Sequence, residues 1–401
     1  MAKSFIFDGL RTPIGTFKGT LSDIRTDDIA ALVIKSLMER YPEIDGNYID
    51  DVILGCANQA GEDNRNVARM ALLLAGLPVS VPGETVNRLC ASGMSAVVHA
   101  HRAIQANDGN LFIAGGVEHM TRGPYAISKT STAYGTDAKM YDTSFGWRFV
   151  NPKMKEMYGI EAMGETAENL QVDYDIPRGL QDEFAYNSQQ KAAKANDKGR
   201  FAKEIIPVSI SIGKQETLLF EKDEFIKPAT TIEKLSTLKP AFKVGGTVTA
   251  GNASGLNDGA AAILIGNDEA AAKFGLKPLA SVVSSAVVGV EPRTMGIGPV
   301  KASQLALKRA GLTLQDMDLI EINEAFAVQV LACLKAIEIS PTDPRINVNG
   351  GAIALGHPLG MSGARLLLTA AIELQERQAT YALVTMCIGV GQGYAVVIKR
   401  E

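Results

Sequence analysis

Cysteine is scarce in this chain of 401 residues, and its four copies include no C-x-x-C pair. So few and so widely spaced cysteines exclude a disulfide framework, and the missing pair disfavours a zinc knuckle. Free thiols are typical of a reducing compartment, which predicts a cytoplasmic protein with no bound metal. The four are Cys56, Cys90, Cys333 and Cys387.

An excess of positive charge is also lacking. The chain has 40 basic and 44 acidic residues, so its net charge is −4. No overall basic field is available to attract nucleic acid, and no nucleic-acid partner is expected. An anionic small molecule would need a local basic patch. Lysines spread through residues 222–243 offer one, although a solvated surface explains them equally well.

Long apolar runs able to cross a membrane are missing as well. The uncharged stretch 381–398 has nearly the required length, but three glycines interrupt it, which favours two strands around a tight turn. The first residues hold an early acid and a short apolar run, unlike a signal peptide. No membrane association is expected. No G-x-G-x-x-G fingerprint opens a helix, so a dinucleotide cofactor is not expected either.

An internal repeat with a constant offset runs through the sequence. Cys90 opens Cys-Ala-Ser-Gly-Met-Ser, and 267 positions later (357 − 90) His357 opens His-Pro-Leu-Gly-Met-Ser. Upstream, residues 51–56 match the pattern of residues 318–323 at the same offset of 267 (318 − 51). Two segments in one register indicate a duplicated supersecondary unit. The duplication would bring a thiol and an imidazole together, which is the pairing of an activated nucleophile.

Alternating strand and helix patterns predict an α/β fold made of two such units. The first unit takes residues 1–120 together with 246–275, and the second takes residues 276–401. Residues 121–245 differ in character and are interpreted as an inserted loop domain that covers the duplicated core. The predicted strands lie at 4–8, 52–55, 84–89, 111–114, 280–288 and 318–322, and the predicted helices at 28–41, 66–74, 91–107, 177–198, 299–310 and 362–375.

Three side chains are candidates for chemistry. Cys90 lies where a predicted strand ends and a helix begins, so the helix dipole favours its thiolate; a buried structural cysteine is the alternative. His357 lies in the glycine-rich segment 350–363, where backbone can approach a ligand, and otherwise it is a hydrogen-bonded turn histidine. Cys387 ends a predicted strand, and a role as acid or base is as consistent with the pattern as a place in the strand core.

Two further residues are weaker candidates. Asn323 ends the strand that matches the one before Cys56, and a buried amide there can hold a water or an oxyanion. His119 follows a predicted turn at Gly115 and Gly116 and could line the site. His99 and His101 lie on the helix after Cys90, where surface or packing roles are expected.

Five motifs, in order and across nearly the full chain, resemble the signatures of the thiolase family. They are Asn87-Arg-Leu-Cys90-Ala-Ser-Gly, Gly251-Asn-Ala-Ser-Gly-Leu-Asn-Asp-Gly, Asn323-Glu-Ala-Phe, Gly356-His357-Pro-Leu-Gly and Cys387-Ile-Gly389-Val-Gly-Gln-Gly. The resemblance implies the five-layer αβαβα thiolase fold, with two duplicated βαβαβ-type halves and an inserted loop domain. It also implies an acyltransferase that uses coenzyme A and acyl-CoA as substrates and holds no permanent cofactor.

The resemblance assigns a role to each catalytic position. Cys90 would be the nucleophile that carries the acyl group as a thioester, and His357 would accept its proton. Asn323 would hold a water in one oxyanion hole, while the backbone N–H groups of Cys90 and Gly389 would form a second. Cys387 would move the proton at the α-carbon.

The resemblance also implies contacts with CoA. Ser254 falls where the family touches the pantetheine arm, and Phe326 and Met163 are expected to join it. Lys227 falls where some relatives use an arginine against the adenine, so the stacking contact is in question at that position. Family members form dimers and tetramers, which predicts a homodimer or homotetramer.

Substrate choice is a separate expectation. Residues 56–69, 146–153 and 386–392 resemble family members that cleave 3-oxoadipyl-CoA to succinyl-CoA and acetyl-CoA in aromatic-compound degradation. Acetoacetyl-CoA is the alternative substrate. A decarboxylating ketosynthase is a competing class, but Cys387 and the Asn323 motif favour thiolase. A non-enzymatic scaffold would be expected to have lost a reactive residue, and none is lost here.

Overall fold

The computed structural model describes residues 2–213 and 216–401, in which strands and helices alternate through most of the chain. The strands are β1 (Phe5–Arg11), β2 (Gly15–Thr16), β3 (Asp51–Gly55), β4 (Gly83–Val86), β5 (Leu111–His119), β6 (Tyr125–Ile127), β7 (Met140–Asp142), β8 (Val208–Ile212), β9 (Glu216–Phe220), β10 (Asn257–Gly266), β11 (Ala280–Gly289), β12 (Leu319–Ile322), β13 (Tyr381–Ile388) and β14 (Gln392–Arg400). The helices are α1 (Thr26–Glu39), α2 (Val67–Leu74), α3 (Ser92–Gln105), α4 (Pro152–Tyr158), α5 (Met163–Tyr174), α6 (Arg178–Asp197), α7 (Ile232–Ser236), α8 (Asp268–Phe274), α9 (Gly298–Ala310), α10 (Ala327–Ala336), α11 (Ala352–Leu355) and α12 (Leu359–Arg377).

The two halves of the chain build sheets of matching strand order. The first half runs β4-β3-β5-β10-β1, and the second runs β12-β13-β14-β11. In both, one parallel pair (β3 with β5, β12 with β13) is followed by antiparallel strands. The counterpart of β4 is reduced to a single parallel bridge between Ile320 and Ile346. The matching order confirms the predicted duplication.

The two sheets meet edge to edge. Strands β1 and β11 pair antiparallel at two positions, Phe5 with Ser281 and Ile6 with Ala280. The expected two β layers are therefore continuous with each other. The nine strands named above and β2, which pairs with β10, form one ten-stranded sheet. The join adds few hydrogen bonds, so packing between the layers has to hold the halves together.

Three buried clusters of side chains separate the layers. Helices α1 and α2 cover the outer face of the first sheet, and α9 and α10 cover the outer face of the second. Helices α3 and α12 lie between the sheets, where Val97 and Leu367 share one core with Ile53 of β3 and Val384 of β13. Because strand side chains alternate in direction, Leu54 faces the outer cluster instead. The αβαβα order of layers is as predicted.

The central helices α3 and α12 approach closely at their N-terminal ends. A side chain on Gly93 would collide with the carbonyl oxygen of Gly360, and one on Gly363 would collide with the backbone of Met94. Only hydrogen fits in these gaps, which is the reason for glycine at both positions. Since Cys90 and His357 immediately precede the two helices, the crossing brings their backbones to the same end of the molecule.

The predicted turn at Gly115 and Gly116 is wrong. Strand β5 continues to His119, and both glycines lie inside it, paired with Ala262 and Ala261 of β10. A side chain on Gly116 would strike the Gly360 carbonyl of α12. The glycines therefore let a helix approach the strand, a demand that arises only in the folded chain.

The inserted segment is fastened to both halves by buried ion pairs. Arg11 of β1 contacts Glu204 and Asp223, each with a nitrogen–oxygen distance of 2.7 Å and with all three side chains fully buried or nearly so. Arg200 contacts Glu373 of α12 at 2.8 Å. Helices α5 and α6 also pack on α10 and α11. The limits 1–120 with 246–275, 121–245 and 276–401 stay a prediction.

In the described part of the chain, no helix combines the length and the apolar character that crossing a bilayer requires.

Candidate active site

Cys90 lies in a short helical turn, Leu89–Ala91, between β4 and α3. Leu89 has a positive φ of 47°, which is strained for a residue with a branched side chain. The strain is balanced by two hydrogen bonds: the Leu89 N–H donates to the Asn87 side chain (2.9 Å), and the Ser92 hydroxyl donates to the Leu89 carbonyl (2.7 Å). The thiol is therefore held in one position.

The pKa of Cys90 is raised from 9.0 to about 11. Burial raises the pKa most, and the N–H groups of Gly389 and of Cys90 itself lower it because they hydrogen-bond the sulfur. The expected thiolate is thus wrong, since desolvation outweighs the helix dipole. Two N–H groups nevertheless converge where negative charge would develop.

His357 is buried, and its ring is fixed from two sides. Its backbone N–H donates to the Asn257 side chain (2.9 Å), and its Nδ1 lies 2.6 Å from the Ser362 hydroxyl. That hydroxyl donates its own hydrogen to the Pro358 carbonyl (2.8 Å), so it accepts from Nδ1–H. Nδ1 therefore carries the proton, and Nε2 has a lone pair available.

Nε2 of His357 faces Asn323, whose Nδ2 lies 3.3 Å away. Burial and, to a lesser extent, Arg365 lower the pKa of His357 to about 3, so the imidazole is neutral at physiological pH. Asn323 follows β12, and its side-chain oxygen is buried with no hydrogen-bond partner among the described residues. Such an orphan acceptor fits a bound water, because buried polar atoms are rarely left unpaired.

Cys387 is the penultimate residue of β13 and is fully buried. Its pKa is raised well above 9.0, first by burial and then by the nearby sulfur of Cys90. Strand β13 also packs against the Leu89–Ala91 turn, so Cys387 lies on the strand next to the turn that holds Cys90. A neutral Cys387 is suited to give a proton, and becomes a base only after losing one.

Gly389 follows in the turn between β13 and β14, where Val390 and Gly391 both have positive φ (64° and 86°). The turn has three residues between the paired Ile388 and Gln392, and a positive φ at the β-branched Val390 marks a constrained site. A side chain on Gly389 would lie 3.3 Å from Leu89 and 3.6 Å from the Met163 sulfur. The hairpin therefore closes over the Cys90 turn.

The residues expected to contact CoA form a rim beside this hairpin. Ser254 donates its N–H to the Ala325 carbonyl (2.9 Å), next to Phe326. The Phe326 ring packs edge-on against Phe242 at 6.1 Å. Phe242 also covers Gly164, which follows Met163. Lys227 is exposed and lies on the loop after β9; its N–H donates to Gln189 (2.7 Å), and its Nζ lies 4.6 Å from the Phe225 ring.

Glu118 links the two halves beneath the site. Its carboxylate accepts N–H groups from Ala57 and Asn58 (3.0 Å each) and from Gly360 (2.9 Å), three residues after His357. Burial raises the pKa of Glu118 to about 7, although the three N–H groups oppose this. Glu118 thereby joins the loop after β3 to the start of α12.

Cys56, Asp63 and Glu118 have ligand atoms within 4.8 Å of one another, which is compatible with a metal site. Their chemistry argues against one. Both carboxylates accept backbone N–H groups, and burial raises the pKa of Cys56 well above 9.0, so its sulfur stays a neutral thiol that donates to Asp63. Donors aimed at the oxygens would repel a cation.

The structure shows several partners that the sequence did not reveal. Asn257 and Ser362 fix His357, although both stand inside motifs noted above, and Ser362 follows His357 by five residues. In the sequence, Glu118 is marked only by its position next to His119. His119 itself is buried, with its ring 3.2 Å from Asp258 and 3.0 Å from the Leu21 carbonyl, and its place in the site stays a prediction.

Two family descriptions cover nearly the whole chain. "Thiolase, N-terminal domain" matches residues 4–269, and "Thiolase, C-terminal domain" matches residues 276–400. The chain belongs to the thiolase family. It is an acyltransferase, as the resemblance of its motifs implied.

Curated relatives match over the full length. The 3-oxoadipyl-CoA/3-oxo-5,6-dehydrosuberyl-CoA thiolase of Escherichia coli (strain K12) is 55% identical over 400 residues, covering 100% of both chains. The beta-ketoadipyl-CoA thiolase of Pseudomonas aeruginosa is 56% identical over 396 residues, covering 99% of this chain and 98% of that one.

A solved crystal structure matches the fold over the full length of the chain. Human mitochondrial 3-ketoacyl-CoA thiolase, in a crystal structure with CoA, has a TM-score of 0.91 and 40% identity, covering 100% of this chain and 98% of that one. A score so near unity over the whole chain confirms the thiolase fold.

Proposed function

We propose that the protein cleaves 3-oxoadipyl-CoA with CoA, giving succinyl-CoA and acetyl-CoA through an acyl thioester on Cys90. The observation that carries the proposal is the arrangement at the Leu89–Ala91 turn: N–H groups of Cys90 and Gly389 converge on the Cys90 sulfur, and β13, which carries Cys387, packs against the same turn. The neutral imidazole of His357 stands at the same end of the central helices.

In the first half-reaction, the proton of Cys90 passes to Nε2 of His357 as the sulfur attacks the 3-oxo carbon. The bond between carbons 2 and 3 then breaks, and its electron pair becomes the enolate of acetyl-CoA. Cys387 protonates that enolate and is left as a thiolate. N–H groups of Cys90 and Gly389 stabilise the oxyanion on the acyl carbon.

In the second half-reaction, the Cys387 thiolate takes the proton of the CoA thiol. The CoA sulfur attacks the thioester, and Cys90 leaves as a thiolate. Cys90 then recovers its proton from His357, which restores both groups. In the first half-reaction, the protonated Nε2 and a water on Asn323 would stabilise the oxygen of the acetyl-CoA enolate as it forms.

Ser254, Phe326 and Met163 are proposed to line the path of the pantetheine arm toward Cys90. The place of Met163 beside Gly389 supports this, because the arm has to deliver its thioester there. Lys227, exposed on the outer end of the rim, is proposed to meet the nucleotide end of CoA. An assembly of two or four chains is part of the proposal, and the molar mass from light scattering tests it.

The substrate assignment is supported by the names of the two relatives above. The test is a thiolysis assay that follows loss of the 3-oxoacyl-CoA, with 3-oxoadipyl-CoA and acetoacetyl-CoA compared at equal concentrations. We expect a higher kcat/KM for 3-oxoadipyl-CoA. A clear preference for acetoacetyl-CoA would overturn the substrate, and no thiolysis of either would overturn the reaction.

Cys90→Ser tests the mechanism. We expect a loss of thiolysis of about 10³-fold or more, because a serine hydroxyl at this position is a much weaker nucleophile. Intact-mass spectrometry after mixing with substrate should show the acyl adduct in the wild type and not in Cys90→Ser. Cys56→Ser, a cysteine outside the site, is the matched control and should retain both the rate and the adduct.

A further inference from the structure

Arg148, on the loop between β7 and α4, carries a positive charge with no acidic partner. Its guanidinium donates to the Thr143 carbonyl (3.1 Å) and to the Asn58 side-chain oxygen (3.2 Å). Within residues 2–213 and 216–401, no carboxylate oxygen lies within 4.0 Å of its nitrogens. A guanidinium has five donors in a planar fork, so most of its binding capacity is available to a ligand.

Some arginines of the chain are neutralised by acids, whereas among the described residues neither Arg148 nor Arg88 has an acidic partner, and Arg88 donates instead to Gln392 (3.1 Å). Arg122 contacts Glu62 at 2.6 Å, and Arg293 contacts Asp173 at 2.6 Å. Glu118 is not the missing counter-ion of Arg148, because its two oxygens accept backbone N–H groups. The guanidinium is also only partly buried, so a ligand can reach it.

The position of the guanidinium places it near the reacting thiol. Its partner Asn58 follows Ala57, whose carbonyl accepts from the side chain of Asn87 (3.0 Å). The same side chain accepts the N–H of Leu89, the residue before Cys90 (2.9 Å). A short hydrogen-bonded path therefore connects the loop that holds the guanidinium to the turn that holds the nucleophile.

The residue before Arg148 marks the same region from the other side. Trp147 lines a shallow cavity together with Met163 and Val390. Met163 and Val390 flank Gly389, whose N–H faces the Cys90 sulfur. The segment 147–148 therefore lies beside the hairpin that closes over the Cys90 turn.

We propose that Arg148 binds the terminal carboxylate of the acyl group that Cys90 carries, and that it thereby selects dicarboxylic 3-oxoacyl-CoA substrates. The inference rests on the proposed thiolase function. A succinyl group places its carboxylate two methylenes beyond the thioester carbonyl, within the scale of one arginine side chain. Charge-assisted, two-pronged bonds to a carboxylate would replace the two long neutral bonds seen now.

The experiment compares two substrates of equal length. 3-Oxohexanoyl-CoA carries a methyl group where 3-oxoadipyl-CoA carries the carboxylate, so it reports on everything except the charge. For Arg148→Gln we expect kcat/KM for 3-oxoadipyl-CoA to fall about 10²-fold, the usual cost of removing one partner of a shielded ion pair. The kcat/KM of the same variant for 3-oxohexanoyl-CoA should change by no more than about threefold.

Two variants act as controls. Arg148→Lys keeps the charge but not the planar fork, and we expect an intermediate loss of about tenfold with 3-oxoadipyl-CoA alone. Arg293→Gln removes an arginine that lines the cavity beside Trp147 but is paired with Asp173. We expect this variant to change kcat/KM for the two substrates by the same factor. A selective loss in Arg293→Gln and not in Arg148→Gln would overturn the proposal.

Equal losses with both substrates in Arg148→Gln, or no loss with either, would also overturn it. These outcomes are distinct from failure of the proposed function, which shows in the wild type. If the wild type cleaves neither substrate, the proposed substrate is wrong and the Arg148 assignment falls with it. If the wild type prefers 3-oxoadipyl-CoA and Arg148→Gln keeps that preference, only the Arg148 assignment is wrong.

Discussion

At the scale of single residues, burial keeps the protons of the free enzyme where the chemistry needs them. The pKa of Cys90 is raised to about 11 and that of His357 is lowered to about 3, so neither group ionises near neutral pH. The sulfur becomes a nucleophile only as its proton moves to the imidazole. Charge separation is therefore expected when a substrate supplies the oxyanion that the N–H groups stabilise.

Alkylation of Cys90 by iodoacetamide tests its proton state. Because thiolate is the reacting form and its pKa is about 11, the rate constant should still rise about tenfold per pH unit between pH 7 and pH 9. Peptide mass spectrometry follows the modified site, with Cys387→Ser as the background so that only one active-site thiol reports. A rate that levels off below pH 8 would contradict the raised pKa.

Ser362 is predicted to act by holding the His357 ring. Without its hydroxyl, Ser362→Ala leaves Nδ1–H without an acceptor, and the ring loses its fixed tautomer and direction. We expect kcat to fall about 10- to 100-fold with a smaller change in KM. Ser362→Thr keeps the hydroxyl and should recover most of the rate. Equal loss in both variants would instead indicate a packing defect.

The sequence allowed the reacting groups to be chosen, but not their protonation. Cys90, His357 and Cys387 stood in short motifs, and those motifs are local. The partner that orients His357, Asn257, is 100 positions away, and the burial that sets each pKa comes from both halves of the chain. Contacts between residues so far apart along the chain leave no periodic pattern in the sequence.

At the scale of elements, the predicted helices and strands mostly match the observed ones within a few residues. Helix α3 starts at Ser92 and α12 at Leu359, which preserves the offset of 267 (359 − 92) found in the sequence. The main error was in β5, because a glycine pair has the local signature of a turn. In this fold the pair makes room for α12, and that requirement is not local.

The glycine crossing of the central helices can be tested directly. Gly93→Ala would press a methyl group against the backbone of α12, and overpacking of this kind costs about 1–3 kcal/mol or more in unfolding free energy. Urea unfolding followed by circular dichroism measures the loss. Gly179→Ala, on helix α6 with open space around it, is the matched control and should leave stability unchanged or slightly higher. Equal stability of the two variants would disprove the close crossing.

At the scale of the whole molecule, buried carboxyl groups make stability depend on pH in an unusual direction. Burial raises the pKa of Glu321 from 4.5 to about 8 in the folded chain. The unfolded chain releases that proton first as pH rises, so unfolding becomes easier between pH 4.5 and pH 8. The slope is about 1.4 kcal/mol per pH unit for one proton.

Glu321→Gln should remove this slope, because an amide resembles the protonated acid and cannot ionise. We expect the variant to gain unfolding free energy relative to the wild type as pH rises from 5 to 8. Urea unfolding at several pH values measures the difference. Glu183→Gln, at an exposed position on α6, should show no such gain, and a parallel pH dependence of Glu321→Gln and the wild type would refute the assignment.

The shared layer of α3 and α12 bears on how the molecule came to be one chain. Each half contributes one of the two helices, and α12 packs against strands of both sheets, so the core of each half is completed by the other. A single unit would expose that shared layer and could bury it only against a second copy. In one chain the two copies stay together at any concentration, and each can carry a different residue at the matching place. One has a cysteine before its central helix, and the other has a histidine there.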